Sequence, residues 1–157
     1  MNAGRSAVPG WPVLGLALLL AGCAFPGRRL PPWDLTSPGW TVTEMSAAWR
    51  PASDSPELAG ELLVARNTDG SRLVQFAKQG VPVVVARSGP SGWEIRSPFR
   101  SASAAGRGAA PKSIVWFRAT APKELPEAPE GWKAVASEQG GWILERPVTG
   151  ERLEVAP

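Results

Sequence analysis

Seventeen glycines and 17 prolines punctuate this 157-residue chain, and no amphipathic pattern longer than about two helical turns survives between them. What lies between the breaks is a series of short apolar runs, and each break carries turn chemistry. Residues 40–49, 58–67, 71–78, 81–87, 93–97, 113–119, 132–137, 141–145 and 152–155 read as strands. Asn67-Thr68-Asp69-Gly70 and Gln79-Gly80 are hairpin turns, because Gly, Asn and Asp tolerate positive φ. Ser88-Gly89-Pro90-Ser91-Gly92 makes a third turn, so residues 58–97 form a continuous meander. Residues 99–112 are dominated by small side chains and read as a loop, or one helical turn at 101–105. Residues 122–131 carry Pro122, Pro126 and Pro129 and read as a second loop.

Several runs are apolar on consecutive residues: Leu62-Leu63-Val64, Val83-Val84-Val85 and Ile114-Val115-Trp116-Phe117. A sheet with one wet face would alternate apolar and polar residues. The expected fold over residues 39–157 is therefore β-dominated, and burial on both faces means either a single antiparallel, strongly curved sheet (an open half-barrel) with an apolar concavity or, as the alternative, a small β-sandwich with a covered outer face.

The N-terminus is of another kind. Arg5 is the only charge before residue 28, and residues 13–21 are apolar. That stretch is well short of the roughly 20 residues a permanent membrane helix needs. It ends in Leu20-Ala21-Gly22-Cys23, and Cys23 is the single cysteine of the chain. The tetrapeptide resembles the lipobox of bacterial lipoproteins: an aliphatic residue, two small residues, then Cys. The resemblance implies a signal peptide over residues 1–22, cleaved before Cys23, with diacylglycerol on the thiol and an acyl chain such as palmitate on the new amino group. It implies a cell-envelope protein held to a membrane through Cys23. Ala24 rather than Asp follows the cysteine, which by the sorting rule of that family directs the chain to the periplasmic face of the outer membrane. Residues 23–38 contain Pro26, Pro31, Pro32 and Pro38 and read as a stiff, proline-rich tether, with Trp33 and Leu35 able to pack on the domain edge.

The chain has no His, so a His-based triad and a His-ligated metal site are excluded. A lone Cys allows no internal disulfide. The formal charge of +3 is small and its basic residues are scattered, which opposes a nucleic-acid partner. Acid–base catalysis would fall to carboxylates such as Glu145, Glu151 and Glu154 around the last turn; solvated glutamates are the simpler account. No enzyme and no cofactor are expected.

Tryptophan is the unusual component, with eight in the chain. Each offers a broad apolar face and one N–H donor. These rings either fill a small β core that lacks Tyr or line an apolar cavity.

The order of features resembles a second family, the lipoprotein-localisation factors, a periplasmic carrier and its outer-membrane receptor. The matching features are the lipobox, the strand beginning Gly39-Trp40, the 58–97 meander, an aromatic strand at 114–117, and terminal strands joined by Gly-rich turns. That family shelters acyl chains on the concave face of an open sheet. The resemblance implies binding of a lipid or a lipoprotein acyl chain against Leu63, Val64, Phe76, Val84, Trp116 and Phe117. The alternative is a structural or assembly lipoprotein that binds an envelope protein through a strand edge and holds no small ligand.

Overall fold

The computed structural model describes residue 30, residues 32–97 and residues 103–157. The expected signal peptide, lipobox and Cys23 lie outside the described residues. Nine strands among the described residues form one antiparallel sheet. In chain order they are β1 (Trp40–Arg50), β2 (Leu58–Asn67), β3 (Arg72–Lys78), β4 (Val81–Gly89), β5 (Gly92–Arg96), β6 (Ala104–Gly106), β7 (Lys133–Ala136), β8 (Trp142–Arg146) and β9 (Glu151–Ala156). Their order across the sheet is β6-β5-β4-β3-β2-β1-β9-β8-β7. The terminal strand β9 thus returns to pair with β1, and β6 and β7 are the two edges. The sheet is open, and it is a single sheet rather than the two of a sandwich.

The turns form where local chemistry favours them. Gln79 and Gly80 both have positive φ, 52° and 75°, the backbone that a two-residue hairpin between twisted strands requires. At Asn67–Gly70 the Asp69 carboxylate accepts the Ser71 N–H at 2.7 Å, and the Asn67 N–H donates to the Ser71 carbonyl.

Strand register assigns each side chain to a face. Met45, Ala47 and Trp49 of β1 share the inner face with Leu62 and Val64, Val74 and Phe76, Val84 and Ala86, and Leu153 and Val155. All are buried, and they form one continuous core. The three consecutive valines of β4 are explained by an irregularity. The β3–β4 register shifts between Phe76 and Ala77, and the extra residue lets Val83 and Val84 both be buried.

The run at 113–119 is not a strand. Val115–Arg118 is a turn of 3-10 helix, entered through Pro111 and Ile114 carbonyls that accept the Ile114 and Phe117 N–H groups. A strand would send alternate side chains to opposite faces; this turn buries Val115, Trp116 and Phe117 together. Residues 107–132 cover the inner face of the sheet. Phe117 packs on Trp93 of β5, and the Trp142 indole of β8 donates to the Ala121 carbonyl. The sheet curls around the covering segment.

One further expectation is corrected: part of the loop expected at 99–112 is strand β6, which pairs with β5. The described part of the expected tether packs on the domain. Leu30 is buried, and Trp33 stacks against Trp40 with ring centroids 5.4 Å apart. Asp34 caps its own turn, accepting the Thr36 N–H and the Thr36 and Ser37 hydroxyls. These bonds hold its carboxyl below the usual carboxylate range.

Candidate ligand-binding site

Three rings meet under the covering segment. Trp116 lies 5.2 Å from Trp49, edge to face, and 5.9 Å from Phe76; Trp49 and Phe76 are 6.1 Å apart. Such pairs add about 0.5–1.5 kcal/mol each beyond the area they bury. The segment is also fastened by polar contacts. Arg72 donates from Nη1 to the Phe117 carbonyl at 2.8 Å, and Arg66 pairs with Glu124 at 3.0 Å. The Thr120 hydroxyl donates to the Glu124 carbonyl. Burial, with the charge of nearby Arg66, lowers the Arg72 pKa to about 10. Its Nε and Nη2 are buried without an acceptor.

Packing between sheet and cover is incomplete at one end. A cavity of about 230 Å³ lies there, walled mainly by Trp49, Val84, Ile95, Ile114, Trp116 and Trp132. Arg146 and Glu151, directly opposite each other in the β8–β9 register, also line it, with Ser97 and Ser113. Two polar atoms on residues of this wall are buried with no hydrogen-bond partner: the indole Nε1 of Trp49 and the hydroxyl of Ser97. A buried donor left unmade costs about 1–3 kcal/mol. The site is slightly smaller than the roughly 300 Å³ at which drug-sized pockets begin, and it has their apolar walls and few polar groups. Two larger depressions, about 450 and 400 Å³, are lined with the polar side chains Glu44, Glu61 and Gln75, and Ser46, Glu57 and Glu154.

The outer face of β4 and β5 is closed differently. Glu94 of β5, only 3 % exposed, accepts from Arg87, from Arg96 at 3.1 Å and from the Leu30 backbone N–H at 3.3 Å. Arg87 in turn donates to the Leu30 carbonyl at 2.9 Å and lies 5.6 Å from the Trp33 ring. Burial raises the Glu94 pKa, but the bonds and charge of Arg87, with those from Leu30 and Arg96, outweigh it and hold the carboxyl below its usual range.

Of the six side chains expected against a ligand, only Val84 and Trp116 line the cavity. Val64 and Phe76 are filled core, and Phe117 packs on Trp93. Leu63 sits on the opposite face, between Glu44 and Gln75 in register, and is half-buried there. Trp49, Ile95, Ile114, Trp132 and Ser97 complete the site. The tryptophan content allows either a filled core or a lined cavity; Trp49, Trp116 and Trp132 stand in the cavity wall while Trp142 is core, and nothing local singles out Ser97. The carboxylates around the last turn do not meet. Register places Glu151 on the inner face and Glu145 and Glu154 on the outer one. Among the described residues no group of His, Cys, Asp and Glu is arranged to hold a metal ion, and no helix is long and apolar enough to cross a membrane.

The fold and cavity therefore define an open antiparallel sheet closed over by its own chain, with a small apolar pocket beneath the cover. No family model matches the sequence, no curated protein matches it, and no solved structure matches the chain.

Proposed function

We propose that this protein is a bacterial lipoprotein, anchored through acyl chains on Cys23 at the periplasmic face of the outer membrane, whose sheet binds an apolar ligand such as a lipid or a lipoprotein acyl chain. The lipobox at Leu20, Ala21, Gly22 and Cys23 supports the anchor. Two or three acyl chains hold a protein durably, since each buried methylene contributes about 0.8 kcal/mol. The observation that carries the ligand reading is the apolar cavity walled by Trp49, Val84, Ile95, Ile114, Trp116 and Trp132 beside the buried core. It suits one slender chain rather than a bulky lipid.

The Cys23→Ser chain, free of acyl groups, is purified from bacterial cells without detergent and extracted with organic solvent. Mass spectrometry is expected to find an apolar molecule near one per chain, and its addition back to stripped protein to change the tryptophan fluorescence. A clean extract, and no fluorescence change with fatty acids or phospholipids, would overturn the ligand reading. Intact mass of the wild-type chain tests the anchor: the expected product begins at Cys23 and carries diacylglycerol.

A second reading, an assembly lipoprotein that binds an envelope protein, is favoured by the edge strand β7. Among the described residues one side of it is unpaired, and Val135 is 51 % exposed. A peptide could extend the sheet there. A clean lipid extract combined with a stoichiometric co-purified protein would support it.

A further inference from the structure

We propose that the short chain between the acylated cysteine and Leu30 holds the outer face of the sheet against the membrane. The surface around Val42, Leu63, Leu73 and Val85 then rests on lipid headgroups, and the covering segment 107–132 faces away from them. This rests on the anchor at Cys23 proposed above and adds an orientation to it.

Both backbone groups of Leu30 are engaged on the outer face. Its N–H donates to Glu94 at 3.3 Å, its carbonyl accepts from Arg87 at 2.9 Å, and its side chain is buried. Further along, Trp33 packs on Trp40, with Arg87 5.6 Å from the Trp33 ring. Among the described residues the fixed part of the chain thus begins at Leu30, not at β1. Seven residues separate Cys23 from Leu30, a reach of at most about 25 Å. Were the chain fixed only from Trp40, 17 residues would reach about 60 Å. A sheet with a covering layer is about 20 Å through, since layers lie about 10 Å apart and side chains project on both sides. A tether leaving the outer face at β4 and β5 would also have to round β5 and β6 before passing the cover. Seven residues are too few for that, and 17 are enough.

The face placed in this way suits a lipid surface. One row of the register runs from the fixed point across the sheet: Glu94 opposite Arg87, Arg87 opposite Leu73, Leu73 opposite Ala65, and Ala65 opposite Val42. The next row carries Val85 and Leu63, with Arg96 beside Val85 and Glu44 beside Leu63. Val42 is 42 % exposed, and Leu63, Leu73 and Val85 are half-buried. Trp40 shares this face two residues before Val42, and it and its partner Trp33 are half-buried. Indoles favour the boundary between lipid and water. Arg96 and Glu44 bring one charge of each sign, so the contact does not depend on anionic lipid.

The test uses the acylated full chain in phosphatidylcholine vesicles that carry a nitroxide on a fraction of the headgroups. Acylation occupies the only native thiol, so a bimane label goes to the thiol introduced by Val42→Cys or by Leu125→Cys. These positions are 42 % and 56 % exposed, the first on the outer face and the second on the cover. The label of the Val42→Cys chain is expected to be quenched several-fold more strongly. A flexible Gly-Ser insert after Gly27 lengthens the tether and leaves every contact of Leu30 and Trp33 in place; it should bring the two labels close to equality. Equal quenching on the native tether, or stronger quenching on the cover, would overturn the orientation. A bias undiminished by the insert would overturn the role of the tether. An intact mass without diacylglycerol would instead sink the anchor reading, and this proposal with it.

Discussion

Leu30 with residues 32–39 on the outer face, and residues 107–132 on the inner one, are both laid against the sheet with almost no regular structure of their own. The forces that hold them differ. The outer strap is held at Glu94 and Arg87 by charge-assisted hydrogen bonds to the Leu30 backbone, with every acceptor on Glu94 in use. The inner cover is held by ring packing around Trp116 and Phe117, and its polar fastening is uneven, with Arg72 left two donors short. Directional bonds hold a segment at one point and respond to pH. Apolar packing is spread over an area and does not, but it has to fit, and where it does not fit a cavity remains.

The largest effect should come from the cover. Trp116→Ala removes the ring shared by Trp49 and Phe76 and should cost about 4 kcal/mol in urea unfolding. A cost below about 1 kcal/mol would mean that the cover is an accessory to the sheet rather than part of its core. Next comes the strap. Glu94→Ala leaves the Arg87 guanidinium, whose side chain is 12 % exposed, without its carboxylate. The expected cost is about 3 kcal/mol, with faster hydrogen exchange at residues 32–38. Unchanged exchange there would show that the strap is held by Trp33 alone.

Acid should separate the two regions. The folded pKa of Glu94 lies below its ordinary 4.5, so its stabilisation is complete above that pH and is lost as the pH falls through the lower folded value. Arg72, at about 10, stays charged throughout this range. Corrected for the slower intrinsic exchange in acid, protection at residues 32–38 should therefore drop as Glu94, and Asp34 within the strap, protonate, while the amides of 115–119 stay protected. Simultaneous loss of both would break the comparison. The smallest effect is expected at Arg66, whose pair with Glu124 is exposed on both sides, 44 % and 54 %. Arg66→Ala should cost under about 1 kcal/mol, and a larger loss would mean that this ion pair, as well as the rings, fastens the cover.

What the sequence by itself determined is local. Strand β2 at Leu58–Asn67 and the hairpins through Asp69-Gly70 and Gln79-Gly80 follow from short apolar runs and turn chemistry read over a few residues at a time, whereas the choice of one open sheet over a sandwich does not. Only the tertiary structure decided the rest, because each remaining feature depends on residues far apart in the chain. Ile114-Val115-Trp116-Phe117 has the composition of a strand, yet no strand pairs with it; surrounded by a curved sheet, it buries consecutive side chains in a tight turn instead. Leu63 turned outward because strand register, not hydrophobicity, chooses the face. The cavity joins Trp49, Ser97, Trp116, Trp132 and Glu151, contributed by separate stretches of the chain. Its existence is a failure of distant side chains to fill one another's space, and a short-range pattern carries no record of that.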